Sequence, residues 1–152
     1  MQYLIEKSNR HNLFKLLKKL EPTTLPLWGK MNAQQMVEHL ITNVKYTNGT
    51  FTFTCKRSPE EANRSKQVMI YTDTPMPMNI VLGDLPSNYA YPNLSAAIEQ
   101  LMKELATFDQ HFKTPGITED HLSFGSMNHQ EWIIWHSKHF THHFKQFGLL
   151  SA

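Results

Sequence analysis

Two histidines of this chain, His139 and His143, stand four residues apart within the run Trp135-His136-Ser137-Lys138-His139-Phe140-Thr141-His142-His143-Phe144. On a helix, side chains at that spacing lie one turn apart on the same face. Two imidazole nitrogens placed so can approach one metal ion at about 2.0–2.1 Å. A helical pair rarely suffices as a ligand set, so a third ligand is expected from elsewhere. His39 is the best candidate, because a helical wheel puts it beside Met36 and Leu40, at the edge of an apolar face where a cleft can form. Three neutral imidazoles would leave a divalent ion's charge uncompensated, which favours an anionic ligand and acidifies bound water or thiol. Three protein ligands with an exchangeable position is the arrangement of catalytic rather than structural zinc.

The other reactive residues carry weaker signals. Glu38 precedes His39 and is a candidate general base or a carboxylate supporting it, although its wheel position equally suits a solvated face. His142 reads as a rim or solvated residue. His136, one turn before His139, is placed to line the same groove. Gln146, three after His143, is placed to hydrogen-bond a ligand. His11, His111, His121 and His129 lack a spacing pattern and read as surface residues. Trp28, Trp132 and Trp135 read as core or interface aromatics, with Trp28 near the pocket mouth as the alternative. Cys55 lies in a Thr-rich run with no evident base, so an unreactive thiol is expected. There is no glycine-rich phosphate loop and no HExxH.

The elements that must position these residues are helices. The first spans about 12–20, Asn9 being an alternative start, with Leu13, Phe14, Leu16, Leu17 and Leu20 as its stripe and Pro22 and Pro26 beyond it. The second starts at Asn32, which with Gln35 forms a capping-box pattern, carries Met36, Val37, Leu40, Ile41 and Val44, and fades near Asn48-Gly49. The third starts near Asn93 or Ser95, with Ile98, Leu101, Met102, Leu105, Phe108 and Phe112 at helical period, and ends at Pro115-Gly116. The fourth starts at Asn128, three before Glu131, and stops at Gly148. Between the second and third lies the segment 49–92, where Pro59, Pro75, Pro77, Pro86 and Pro92 argue against a long regular helix. Phe51 to Thr54 alternates like a short strand. The expectation is an all-α four-helix bundle with a long irregular crossover between its second and third helices, covering one end, and a metal site between facing helices.

Length and composition bound the partners. The 152 residues suit one domain, 40% are hydrophobic and 18% charged, and the formal charge is +2. That balance fits neither a disordered chain nor a membrane protein, and no basic stripe calls for nucleic acid. The start lacks the apolar stretch of a secretory signal. The lone cysteine excludes an intrachain disulfide and a Cys-rich zinc site, and fits a reducing, cytoplasmic setting. A homodimer is an open alternative to a monomer. Because apolar stripes alone can build such a bundle, the fold is expected to survive metal loss, while acid below roughly pH 6 should release the ion.

Both histidine segments resemble those of DinB/YfiT-like proteins, especially a branch described as a domain of unknown function. Pro26-Leu27-Trp28-Gly29-Lys30-Met31-Asn32-Ala33-Gln34-Gln35-Met36-Val37-Glu38-His39-Leu40 resembles the stretch that carries the family's first triad histidine. His139-Phe140-Thr141-His142-His143-Phe144-Lys145-Gln146 resembles its closing motif, and Phe124-Gly125 followed by Glu131-Trp132 resembles the lead-in of that branch. The resemblance implies metal ligation by His39, His139 and His143, with nickel or zinc the usual ion. It further implies a transferase or isomerase using a small thiol such as mycothiol or bacillithiol on a small electrophile. A non-catalytic metal- or ligand-binding helical module is the alternative. Phe144-Lys145 stands where the family motif often has Arg-Gly, so a role for that arginine does not carry over.

Overall fold

A computed structural model describes residues 3–77, 85–86 and 88–151. A short 3-10 turn (Lys7–Asn9) leads into α1 (Arg10–Leu17), followed by α2 (Ala33–Lys45), α3 (Pro59–Tyr71), α4 (Leu94–His111), a hairpin of β1 (Glu119–His121) and β2 (Gly125–Met127), and α5 (His129–Gln146). The chain is thus mostly helical with one small antiparallel sheet, in which Glu119 faces Met127 and His121 faces Gly125.

The two helices that carry the histidine segments begin in the same way. The Asn32 side chain accepts from the Gln35 backbone N–H at 2.8 Å and the Gln35 side-chain oxygen Oε1 accepts from the Asn32 backbone N–H at 2.9 Å. Asn128 and Glu131 repeat the exchange at 2.9 and 3.0 Å. Each box satisfies backbone donors that have no partner within the helix, and so fixes where the helix starts and which face it turns inward.

The buried faces of α1, α2, α4 and α5 meet in one continuous apolar cluster that includes Leu13, Met36, Leu40, Leu101, Phe108 and Phe140. Helix α2 lies along α4 and also meets α5. Arg10 joins α1 to α4 through a two-pronged ion pair with Asp109, both distances 2.9 Å.

The crossover differs from its sequence reading. It contains α3, a regular helix of 13 residues. Pro59 does not interrupt it but sits in its first turn, where a missing N–H costs nothing, and Ser58 caps it by accepting from the Glu61 N–H at 3.2 Å. Helix α3 presents few buried apolar residues, chiefly Ala62 and Ile70. Polar ties to α5 make up the difference. The Lys138 ammonium donates to the carbonyls of Met69, Thr72 and Thr74, closing the C-terminal end of α3. Glu131 accepts from Tyr71 at 2.5 Å and pairs with Lys66 at 3.3 Å. Residues 51–54 form no strand, having no facing strand among the described residues. Phe53 instead stacks on Tyr46 at 3.9 Å between centroids. Positions 78–84 and 87 of the expected crossover lie outside the described residues.

Helix ends differ by a turn or less from expectation. The first helix closes at Leu17, with Leu20 buried in the following turn, and the second closes at Lys45 rather than near Asn48.

Candidate metal centre

His39 projects from α2, and His139 and His143 project from α5, across the line where the two helices meet. The Nε2 atom of His139 lies 3.0 Å from Nε2 of His39 and 3.0 Å from Nε2 of His143. His139 and His143 are buried and His39 is half-buried. The three rings stand edge to face, 4.8–5.0 Å apart between centroids. No other group of three or more His, Cys, Asp or Glu side chains among the described residues meets a metal-binding geometry.

Hydrogen bonding alone does not account for this convergence. A neutral imidazole nitrogen carries either one hydrogen or one lone pair. The Nε2 of His139 therefore makes one good hydrogen bond and leaves its second close neighbour badly matched, either lone pair to lone pair or hydrogen shared at poor angles. A cation resolves the conflict, because all three nitrogens then present lone pairs to a common centre. The donor set thus fits a divalent metal ion, and the identity of that ion is not fixed by three imidazoles.

The site's electrostatics keep it in the right protonation state. Burial pushes the pKa of His39 down, and the nearby His142 adds to the effect. Burial likewise pushes His139 well down, followed by the charges of His39 and His143. His143 falls to about 3, chiefly by burial, against a raising contribution from its hydrogen bond to Gln146. Neutral imidazoles are what ligation requires, and here the fold supplies them near neutral pH without help from a metal.

Around the trio, Gln146 accepts from His143 Nδ1 at 2.7 Å and donates to the carbonyl of Trp28 at 2.9 Å. The same residue's backbone carbonyl accepts from the Leu27 N–H at 2.7 Å. Trp28 is half-buried and meets the edge of His142, which sits beside His143 at the rim. Asn43, one turn beyond His39, donates to the His39 carbonyl at 2.9 Å and lies 3.5 Å from its Nδ1.

Several sequence expectations need correction. His136 does not line the groove. It is 1% exposed, and its Nε2 meets the hydroxyl of Thr47 at 2.8 Å. Burial lowers its pKa to about 3. Of the four histidines read as surface residues, only His11 is exposed. His111 bonds Glu119 at 2.8 Å, His129 stacks on Phe112, and His121 stacks on Phe124 with its pKa pushed to about 4 by burial. Glu38 is half-buried and not among the clustered groups. Its carboxylate accepts from the N–H groups of Ala90 and Tyr91 and from Gln34, holding the chain before α4 against α2. Gly29 enters the sequence reading only within the segment Pro26 to Leu40 and Asn43 not at all, although Asn43 follows His39 at the one-turn spacing that marks it.

Comparison of the chain with family models, with curated proteins and with solved structures finds no match. No helix among the described residues is long and apolar enough to cross a membrane.

Proposed function

We propose that this chain is a divalent-metal-dependent enzyme of the DinB/YfiT-like kind, in which α1, α2, α4 and α5 are the four helices of the bundle. Its reaction is the transfer of a small thiol to a small electrophilic substrate, or an isomerisation that uses such a thiol. The observation that carries the reading is the meeting of three imidazoles, two buried and one half-buried, in which Nε2 of His139 lies 3.0 Å from Nε2 of His39 and 3.0 Å from Nε2 of His143. Zinc or nickel is the ion that the resemblance implies, and three imidazoles can accept either. A bound cation would supply Lewis acidity, lowering the pKa of a water or thiol beside it.

The chain's own residues do the remaining work. His39, His139 and His143 would hold the ion and would bring no anionic side chain to it, so its charge would be left for an anionic ligand. Burial of His139 and His143 excludes water from that side and strengthens the attraction. His142 and Trp28 form part of the rim. Glu38 is not assigned a proton-transfer role, because its oxygens are already taken by the segment before α4.

The test is reconstitution of tag-free protein with zinc, nickel or manganese, followed by a panel of small thiols offered with a chromogenic electrophile. Turnover is expected to depend on the metal and to disappear in His39→Ala. Turnover numbers of about 1–10³ s⁻¹ are ordinary for enzymes, so the signal should stand clear of the uncatalysed rate. Stoichiometric metal binding with no thiol-dependent turnover, together with tight capture of a small anion, would replace this reading with that of a non-catalytic binding module.

A further inference from the structure

Gln146 is nearly buried and ends α5, one turn beyond the ligand histidines. Its amide has two neighbours of fixed character. On one side is the carbonyl of Trp28, 2.9 Å from the amide nitrogen. A backbone carbonyl only accepts, so it requires the NH₂ end of the amide to face it. That places the amide oxygen toward His143 Nδ1, at 2.7 Å. An amide oxygen in turn only accepts, so Nδ1 must carry the hydrogen. The Nε2 of a neutral His143 is then left with its lone pair pointing at Nε2 of His139, 3.0 Å away.

The loop is shaped to keep this relay in place. Leu27 N–H donates to the backbone carbonyl of Gln146 at 2.7 Å, although Leu27 itself is 69% exposed and its side chain does not anchor the loop. Gly29 follows with φ +79°, and a Cβ there would come within 2.8 Å of the Gln146 amide nitrogen. The left-handed backbone and the missing side chain are both needed for the amide to lie where it does.

We infer that Gln146 is a positioning residue, oriented by the Trp28 carbonyl through the space Gly29 leaves, which sets the Nδ1–H tautomer of His143 and aims its Nε2 lone pair at the metal centre. The inference rests on the metal reading for its purpose but not for its geometry. Partners of this kind, bonded to a ligand histidine's outer nitrogen, fix ring orientation and raise ligand basicity.

The first measurement needs no metal. Long-range proton–nitrogen correlation spectra of the apo protein report which ring nitrogen carries hydrogen, and His143 is identified by the signals missing in His143→Asn. The Nδ1–H form is expected; the Nε2–H form overturns the inference. The second measurement uses cobalt(II), whose visible absorption follows ligand geometry, with chelator competition for affinity. Gln146→Leu is expected to weaken cobalt binding roughly 10–100-fold and change the spectrum, Gly29→Ala to do so in the same sense, and Gln146→Glu, which keeps an acceptor for Nδ1 but loses the donor to the Trp28 carbonyl, to weaken binding less than Gln146→Leu. A Gln146→Leu protein with the parent's affinity and spectrum overturns the positioning role. A parent that takes up no more cobalt than His39→Ala overturns the metal reading instead, and leaves the tautomer result to stand or fall by itself.

Discussion

Helix α5 serves two groups of histidines within a few turns, and the chain treats them in opposite ways. Toward its C-terminal end, His139 and His143 aim nitrogens at the same point as His39. Toward its N-terminal end, His136 and His129 lie among the rings of Phe108, Phe112 and Trp132, with His121 nearby. There the nitrogens diverge. His136 meets the hydroxyl of Thr47, and His121 Nδ1 accepts from the N–H groups of Ser123 and Phe124. Both groups are largely buried and largely neutral. What separates a binding site from a polar part of the core is therefore whether the nitrogens converge without satisfying one another, rather than burial or pKa.

That contrast predicts an exchange of effects between neighbours on one helix. His139→Ala should abolish stoichiometric zinc or nickel binding while its unfolding remains cooperative, because the apolar cluster is intact. His136→Ala should retain the metal but lose about 2–4 kcal/mol of stability, as large-to-small core truncations do. Elemental analysis and urea unfolding of the two variants decide it. If His136→Ala lost the metal and kept its stability, the division drawn here would be reversed.

Acid should act on both groups, more simply at the aromatic end. His121 and His136 have folded pKa values pushed down to about 4 and about 3 by burial, against an ordinary value near 6.5. Between those values the unfolded chain binds more protons than the folded one. Stability is thus complete above about pH 6.5 and declines as pH falls, by about 1.4 kcal/mol per pH unit for each such histidine. Urea midpoints measured on apo protein between pH 7.5 and 4.5 test this, and a flat profile would contradict it. The smallest effect is expected for Thr47→Val, which removes the hydroxyl facing His136 and should cost about 1–2 kcal/mol with no change in metal affinity. A change in affinity would mean that the two groups communicate through His136.

Much of this arrangement is legible in the sequence because it is local. The capping boxes at Asn32 and Asn128, the apolar stripes and the His139–His143 spacing all depend on residues within a turn of each other. Helix α3 escaped the same reading for a physical reason. Its amphipathic pattern is faint, the prolines around it resemble breakers, and much of what holds it comes from Lys138, Glu131 and other polar partners far away in sequence. Glu38 and Gln146 teach the same lesson at the site. Their residue types suggest chemistry, but their partners, Ala90 and Trp28, lie 52 and 118 positions away, and only the fold reveals that one fastens a loop while the other faces His143.

Lys138 has a consequence of its own, since it directly precedes His139 while all three of its ammonium hydrogens have carbonyl partners at the end of α3. Acylating reagents need an unprotonated amine with a free lone pair, so this nitrogen should react only during the moments when α3 has lifted from α5. Its labelling rate, set against that of exposed lysines such as Lys18 and Lys113, becomes a clock for that lifting. The rate can be read by mass spectrometry from a single residue, with and without added zinc.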